Sequence, residues 1–160
     1  MRQPNKIIAL FFILSIGLLL NSCGNKQNPA DYNNKLMTLM NQNETDMNAM
    51  NAAMSTANYN QAEQVRESWA RHLANALNEA KDIDGFDGNS DLKNAVVSGL
   101  ESYRKIVSED YKQLIVIRSS GDQTQQAKES ELLDNINKTF ENAGNGINKA
   151  SSEFEAKFAQ

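Results

Sequence analysis

Apolar residues recur every three or four positions through most of the chain after residue 28, and this spacing constrains the fold more than any other feature of the sequence. Residues three and four apart share one face of an α-helix, so each run predicts a helix that buries one side. The runs form four segments separated by residues that favour turns. The pattern therefore predicts an all-α protein of four helices.

The first two helices are bounded by capping signals. Asn28 followed by Pro29 is typical of a helix start, and the first helix is predicted from Pro29 to about Ser55. Asn43 interrupts its apolar stripe. The second helix is predicted over residues 60–82, with Asn60 and Glu63 as a capping pair. The stripes comprise Leu36, Met40, Met47, Met50 and Met54 in the first helix, and Ala62, Val65, Trp69, Leu73, Ala76, Ala80 and Ile83 in the second or at its end.

The last two helices follow a loop rich in Asp and Gly. The third begins after Asn89 or Ser90 and ends at Gly121, and the fourth follows a cap at Asp122. Gly144 and Gly146 are expected to kink or loosen the fourth helix. The stripes comprise Leu92, Val96, Leu100, Tyr103, Val107, Tyr111 and Leu114 in the third helix, and Leu133, Ile136, Phe140, Ala143, Ile147, Ala150, Phe154 and Phe158 in the fourth.

The short connectors predict that consecutive helices are antiparallel neighbours. We therefore expect an antiparallel up-down-up-down four-helix bundle behind a cleaved signal peptide. The carboxyl end and the Asp-rich loop would then lie at the same end of the bundle as the start of the first helix. The segment 114–117 is apolar on all sides, which indicates extra burial or a partner contact, and burial is the preferred interpretation.

The amino terminus has the layout of a signal peptide. Arg2 and Lys6 precede the uncharged stretch from Ile7 to Leu20. As a helix this stretch would span roughly 21 Å, which is less than a hydrocarbon core of about 30 Å. A cleaved leader is therefore expected rather than a membrane-spanning helix.

The residues Leu20-Asn21-Ser22-Cys23 resemble the bacterial lipobox, and Cys23 is the single cysteine of the chain. The resemblance implies cleavage before Cys23, a diacylglycerol on its thiol and acylation of the new amino group. It divides the chain into a signal peptide (1–22), a lipidated cysteine with a short tether (23–28) and a four-helix bundle domain (29–160). The alternative is an ordinary secretory signal followed by a buried free cysteine.

Charge limits the partners of the mature chain. Cleavage removes two of the 16 basic residues and none of the 20 acidic ones, which leaves a net charge of −6. An acidic body does not suit nucleic acid. It would not adhere electrostatically to anionic lipid either, so acyl chains such as palmitate would have to supply the membrane attachment.

The chain also resembles the small helical surface lipoproteins of the leptospiral-type family, which are widespread in Bacteroidota. The likeness is carried by Tyr32-Asn33, Leu92-Lys93, Ser102-Tyr103, Asp110-Tyr111, Phe154 and Phe158-Ala159. It implies a lipidated four-helix body of unassigned activity, with no catalytic residues to transfer. Surface-exported members often carry an acidic cluster after the cysteine, which residues 24–27 lack. Both the periplasmic and the surface face of the membrane therefore remain open.

Few residues of the sequence are candidates for catalysis or for binding a metal or cofactor. His72 lies near Trp69 in a chain with six methionines, which suggests a His-Met haem site, but no CxxCH motif is present. One histidine cannot build the paired Glu-x-x-His di-iron motif, and it is the sole candidate base for a nucleophilic triad. No catalytic, cofactor or metal residues are therefore assigned, and an enzyme is not expected.

The Asp-rich loop matches the beginning of a calcium-binding motif. Asp87, Asn89 and Asp91 have the D-x-N-x-D spacing, but Leu92 replaces the glycine of the motif and Ser98 its final Glu. A turn that also caps the third helix explains the same residues. A ligand- or metal-binding bundle, with calcium at this loop, haem, or a small molecule in a pocket loosened by Gly144 and Gly146, is therefore the alternative function.

The sequence favours a non-enzymatic, lipid-anchored cell-envelope protein. Its helical bundle would be a binding or spacer module for an unknown envelope protein or glycan, and Cys23 would hold it to a bacterial membrane, with the outer membrane as the preferred location.

Overall fold

A computed structural model describes residues 28–158, and every regular element in that range is helical. The elements are α1 (Pro29–Asn41), α2 (Asn43–Ser55), α3 (Tyr59–Asp82), α4 (Asp91–Ser108), α5 (Asp110–Ser120) and α6 (Gln126–Phe158), with a 3-10 turn at Gln123–Gln125. Six α-helices lie in this range, but α1 and α2 are separated by a single residue, as are α4 and α5. Residues 28–158 therefore form four helical segments, as the apolar spacing predicts.

The first predicted helix is broken at Gln42, which divides it into α1 and α2. The next residue, Asn43, is buried, and its side-chain amide donates to the carbonyl oxygens of Leu39 and Met40 at 3.1 Å each. A side chain that bonds the carbonyls of the preceding turn competes with the helical hydrogen bonds of the backbone. The prediction of one continuous helix from Pro29 to Ser55 was therefore wrong at this residue.

The third predicted helix is also interrupted, at Glu109, which separates α4 from α5. The distortion is local. The N–H of Glu109 still donates to the carbonyl of Lys105 at 2.9 Å, and its own carbonyl accepts from the N–H of Gln113 at 3.1 Å. The apolar stripe consequently continues across the break, with Val107 and Tyr111 both buried.

The second predicted helix is observed as α3, but its cap differs from the prediction. Asn58, and not Asn60, caps it, with its Oδ1 accepting from the N–H of Gln61 at 3.2 Å. The reason lies in the preceding turn, where Ala57 is left-handed (φ 55°) and returns the chain to a new helix two residues earlier than expected. Glu63, the other half of the predicted pair, forms a salt bridge with Arg66.

The fourth predicted helix is the continuous α6, so the expected kink at Gly144 and Gly146 was wrong. Each glycine costs a helix interior about 1 kcal/mol relative to alanine but keeps its backbone hydrogen bonds. Gly144 is buried, and α6 packs along α4 and α5. Packing along the length of the helix can therefore outweigh the glycine penalty.

The helices share one hydrophobic core. All seven predicted stripe residues of the third helix are buried, as are those of the second except the partly buried Val65. Within the apolar segment 114–117, Leu114, Ile115 and Ile117 are buried, whereas Val116 is 60% exposed. Burial therefore accounts for three of its four residues.

Close approach between α4 and α6 depends on Gly99. A Cβ atom at this position would lie 2.7 Å from Cδ1 of Ile147. Because Ile147 is buried, the absence of a side chain at Gly99 lets the two helices come together. The end of the third predicted helix is confirmed at Gly121, which adopts the left-handed conformation (φ 66°).

Candidate functional site

The predicted lipidation site, Cys23, lies outside the described residues. The chain is described from Asn28, whose Oδ1 accepts from the N–H of Ala30 at 2.8 Å, so the predicted N-cap is confirmed. Four residues separate Cys23 from Asn28, and even a fully extended chain adds only about 3.5 Å per residue. The start of α1 is thus within roughly 18 Å of Cys23 along the chain.

An aromatic cluster joins three distant parts of the chain at the start of α1. The ring of Tyr32 lies 5.3 Å from Phe86 and 5.2 Å from Phe154, and Phe158 lies 5.0 Å from Phe86. These residues belong to α1, to the loop after α3 and to the end of α6. The Tyr32 hydroxyl has no hydrogen-bond partner within residues 28–158, and burial raises the pKa of its phenol.

Polar contacts reinforce the same junction. Asn33 donates from Nδ2 to Oε1 of Glu155 at 2.9 Å and accepts at Oδ1 from the Ser151 hydroxyl at 3.2 Å. Both partners are more than a hundred residues away in sequence. Ser151 and Asn33 are buried, so these bonds satisfy polar groups that have little access to water.

The Asp-rich loop is a tight turn. Phe86 and Asn89 exchange two backbone hydrogen bonds of 2.8 Å, and the two residues between them are left-handed, with φ 45° at Asp87 and 78° at Gly88. This is the Asp-Gly arrangement of a type I′ hairpin turn. Asn89 then uses both ends of its amide on Asp91, accepting from its N–H and donating to its carboxylate. The side chains of the D-x-N-x-D pattern are therefore partly engaged with one another.

His72 lies on the outward side of α3. Its ring is 59% exposed, and Nδ1 is 2.8 Å from Oδ2 of Asp46 on α2. Asp46 itself is buried, with 8% of the residue exposed. The predicted proximity to Trp69 does not bring the imidazole into the core, since Trp69 is fully buried whereas most of the His72 ring is exposed. No group of three or more His, Cys, Asp and Glu residues positioned to hold a metal ion occurs between residues 28 and 158.

Two shallow grooves lie on the surface of the described helices. One lies beside the Asp46–His72 pair between α2 and α3 and has a volume of about 350 Å³. The other, of about 290 Å³, lies between α4 and α6 and includes Gly146, but not Gly144, of the predicted pocket. The residues that line it are uncharged and small or of moderate size: Ala95, Ser98, Gly99, Ser102, Thr139, Asn142, Ala143 and Gly146.

The sequence did not reveal the partners of two α2 side chains that contact α3. Asp46 was not selected as a candidate site residue, although its position four residues before Met50 places it beside the apolar stripe. Asn43 was recognised as an interruption, but not as the acceptor for the indole N–H of Trp69, which lies 2.9 Å away. Both partners are 26 residues distant in sequence, so local spacing could not reveal them.

In the part of the chain that the structure describes, none of the helices is both long enough and apolar enough to cross a bilayer. No family model matches the chain, and neither a curated protein nor a solved structure shows significant similarity to it.

Proposed function

We propose that this protein is a lipid-anchored component of a bacterial cell envelope, attached through Cys23, whose helical body is a non-enzymatic binding or spacer module. The observation that carries the proposal is the position of the single cysteine, which directly follows an uncharged apolar stretch and ends the sequence Leu20-Asn21-Ser22-Cys23. The proposal includes a relationship to the small helical surface lipoproteins. It places the protein at the outer membrane, facing either the periplasm or the cell surface.

We also propose that the four helices run up-down-up-down. The contacts that support this order are those of Tyr32 with Phe86 and Phe154, because they bring the first helix start, the loop after α3 and the end of α6 together. In an alternating bundle these three parts of the chain share one end. That end would be nearest the lipid, since only four residues separate Cys23 from Asn28.

The tether of four residues between Cys23 and Asn28 is short, which supports a role close to the membrane. Each buried CH₂ of an acyl chain contributes about 0.8 kcal/mol, so two or three chains hold a protein firmly whereas one binds reversibly. In the alternating helix order proposed above, the connectors between α2 and α3 and between α5 and α6 would lie at the end of the bundle away from the bilayer. These surfaces are where we expect an envelope protein or a glycan to bind.

The anchor is tested by mass spectrometry and fractionation in the native host. We expect the mature chain to begin at Cys23 and to carry the added mass of acyl groups. Cys23→Ser should leave the protein uncleaved or released from the lipid-extracted fraction, whereas Ser22→Ala, which keeps a small residue before the cysteine, should fractionate as the wild type does. A mature chain that starts elsewhere, or an unmodified Cys23, would refute the proposal.

A further inference from the structure

Among the described helices, α2 has the fewest partners. It packs along α3 and touches its chain neighbour α1, and it makes no more than marginal contact with any other helix in residues 28–158. Each of the other five helices packs on at least three helices. Since a segment unfolds with the rest of a domain only when they share many contacts, α2 is coupled to the core mainly through one surface.

That surface is unusually polar for a helix interface. Asn43 and Asp46 are buried in it, against Trp69 and His72. Elsewhere on α2, the partly buried Asn51 has its Oδ1 buried without a hydrogen-bond partner in the described range. An unsatisfied buried polar atom costs about 1–3 kcal/mol. The buried apolar residues of α2 are only Met50, Ala53 and Met54, whereas α4 buries Leu92, Val96, Leu100, Tyr103, Ile106 and Val107.

Both ends of α2 are suited to act as pivots. At its start, Gln42 makes no side-chain capping bond. At its end, the N–H of Asn58 donates to the carbonyl of Ala53 and that of Ala57 to the carbonyl of Met54, which is the Schellman pattern. The left-handed position of this motif usually holds glycine, and here Ala57 occupies it at φ 55°. An L-residue in that conformation costs about 1–2 kcal/mol.

We propose that α2 undocks from α3 as a unit while the other helices stay folded, with Gln42 and the turn at residues 56–58 as its pivots. Undocking breaks two side-chain hydrogen bonds to α3, that of Asp46 with His72 and that of Asn43 with Trp69, and it opens the underlying face of α3 to water. The surface that α2 gives up is partly polar and buries few apolar side chains of α2, so this opening requires less free energy than global unfolding. The inference does not depend on the lipid anchor.

Hydrogen exchange of the full-length chain, measured by mass spectrometry in detergent micelles, tests the proposal. We expect the backbone amides of α2 to exchange at least about tenfold faster than those in the interiors of α3 and α4. Low urea concentrations should accelerate exchange in α2 less than in α4, because local opening exposes less surface. If α2 exchanges at the rate of α4 with the same urea dependence, the helix opens only on global unfolding and the proposal is wrong.

A matched pair of substitutions separates docking from helix propensity. Asn51→Leu removes, at a partly buried position, the buried Oδ1 that lacks a partner among the described residues, and should slow exchange in α2 by about tenfold, because docking then no longer leaves a polar atom unsatisfied. Asn48→Leu makes the same change at an exposed position of the same helix and should slow it much less. Equal slowing in both variants, or in neither, would contradict the proposed role of the α2–α3 surface.

Discussion

A single buried amide, that of Asn43, shapes the first half of the chain. Its Nδ2 donates to the carbonyls of Leu39 and Met40, and its Oδ1 accepts from Nε1 of Trp69. The side chain therefore breaks the helix between α1 and α2 and, at the same point, joins it to α3. Because the amide is well paired, its burial does not carry the penalty of an orphaned polar group.

Asn43→Ala should lower the free energy of unfolding by about 1–3 kcal/mol, because the fully buried Trp69 loses its acceptor. Urea unfolding followed by circular dichroism measures the change. Asn41→Ala, at an exposed position two residues earlier, serves as the matched control and should stay within about 0.5 kcal/mol of the wild type. Equal losses in the two variants would mean that the indole bond contributes nothing specific.

The interruption at Asn43 was visible in the sequence as a polar residue within an apolar stripe. Its partner was not, since a stripe identifies which face of a helix is buried but not which residue of another helix it meets. The same limit applies to Asp46 and His72. Individual residues of the candidate site could thus be recognised in part, and their pairing could not.

At the scale of helices, glycine has opposite effects at two positions. Gly146 lies within the continuous α6, where a Cβ atom would meet nothing within 4 Å. Gly121 ends α5 at φ 66°, a conformation that alanine adopts only with strain. The sequence suggested a stop at Gly121 and a kink near Gly146, and only the stop was confirmed.

Gly146→Ala should raise the free energy of unfolding by about 0.5–1 kcal/mol, because alanine has the higher helix propensity and the site has room for its methyl group. Gly121→Ala should lower it by about 1 kcal/mol, because the left-handed conformation disfavours a Cβ atom. Thermal and urea unfolding of the two variants provide the comparison. A loss of stability in Gly146→Ala would indicate that α6 is bent or loosened at that glycine after all.

The helix ends differed in how well neighbouring residues in the sequence predicted them. The cap at Asn28 and the stop at Gly121 depend on one or two neighbouring residues, and both were predicted correctly. The cap of α3 is Asn58 and not the predicted Asn60, because Ala57 adopts a left-handed conformation that alanine rarely has. Turns that place alanine where glycine is usual are invisible to residue preferences.

For the molecule as a whole, buried phenols link stability to alkaline pH. Burial raises the pKa of Tyr103 to about 12, and it raises the pKa of Tyr111 and Tyr32 above the ordinary value of 10.0. The hydroxyls of Tyr32 and Tyr111 have no hydrogen-bond partner in the described part of the chain. These three tyrosines are therefore more easily ionised in the unfolded state than in the folded one.

We expect stability to be lost as the pH rises above about 10, because the unfolded chain releases tyrosine protons first. The contribution of Tyr103 is fully present below that pH and disappears as the pH passes through its folded pKa of about 12. Melting temperatures measured across this range, together with tyrosinate absorbance, check the sign. Tyr103→Phe should weaken the alkaline loss, and an unchanged pH profile in that variant would contradict the assignment to Tyr103.

The sequence by itself determined that the chain is all-α with four helices, and it identified nearly all of the buried stripes in α3, α4 and α5. These properties follow from the period of the apolar residues, which is a local quantity. Only the tertiary structure decided the continuity of α6 and the pairings of Asn43 with Trp69 and of Asp46 with His72. Those outcomes depend on contacts between residues far apart in the chain, whose free energy exceeds the local preferences that a sequence displays.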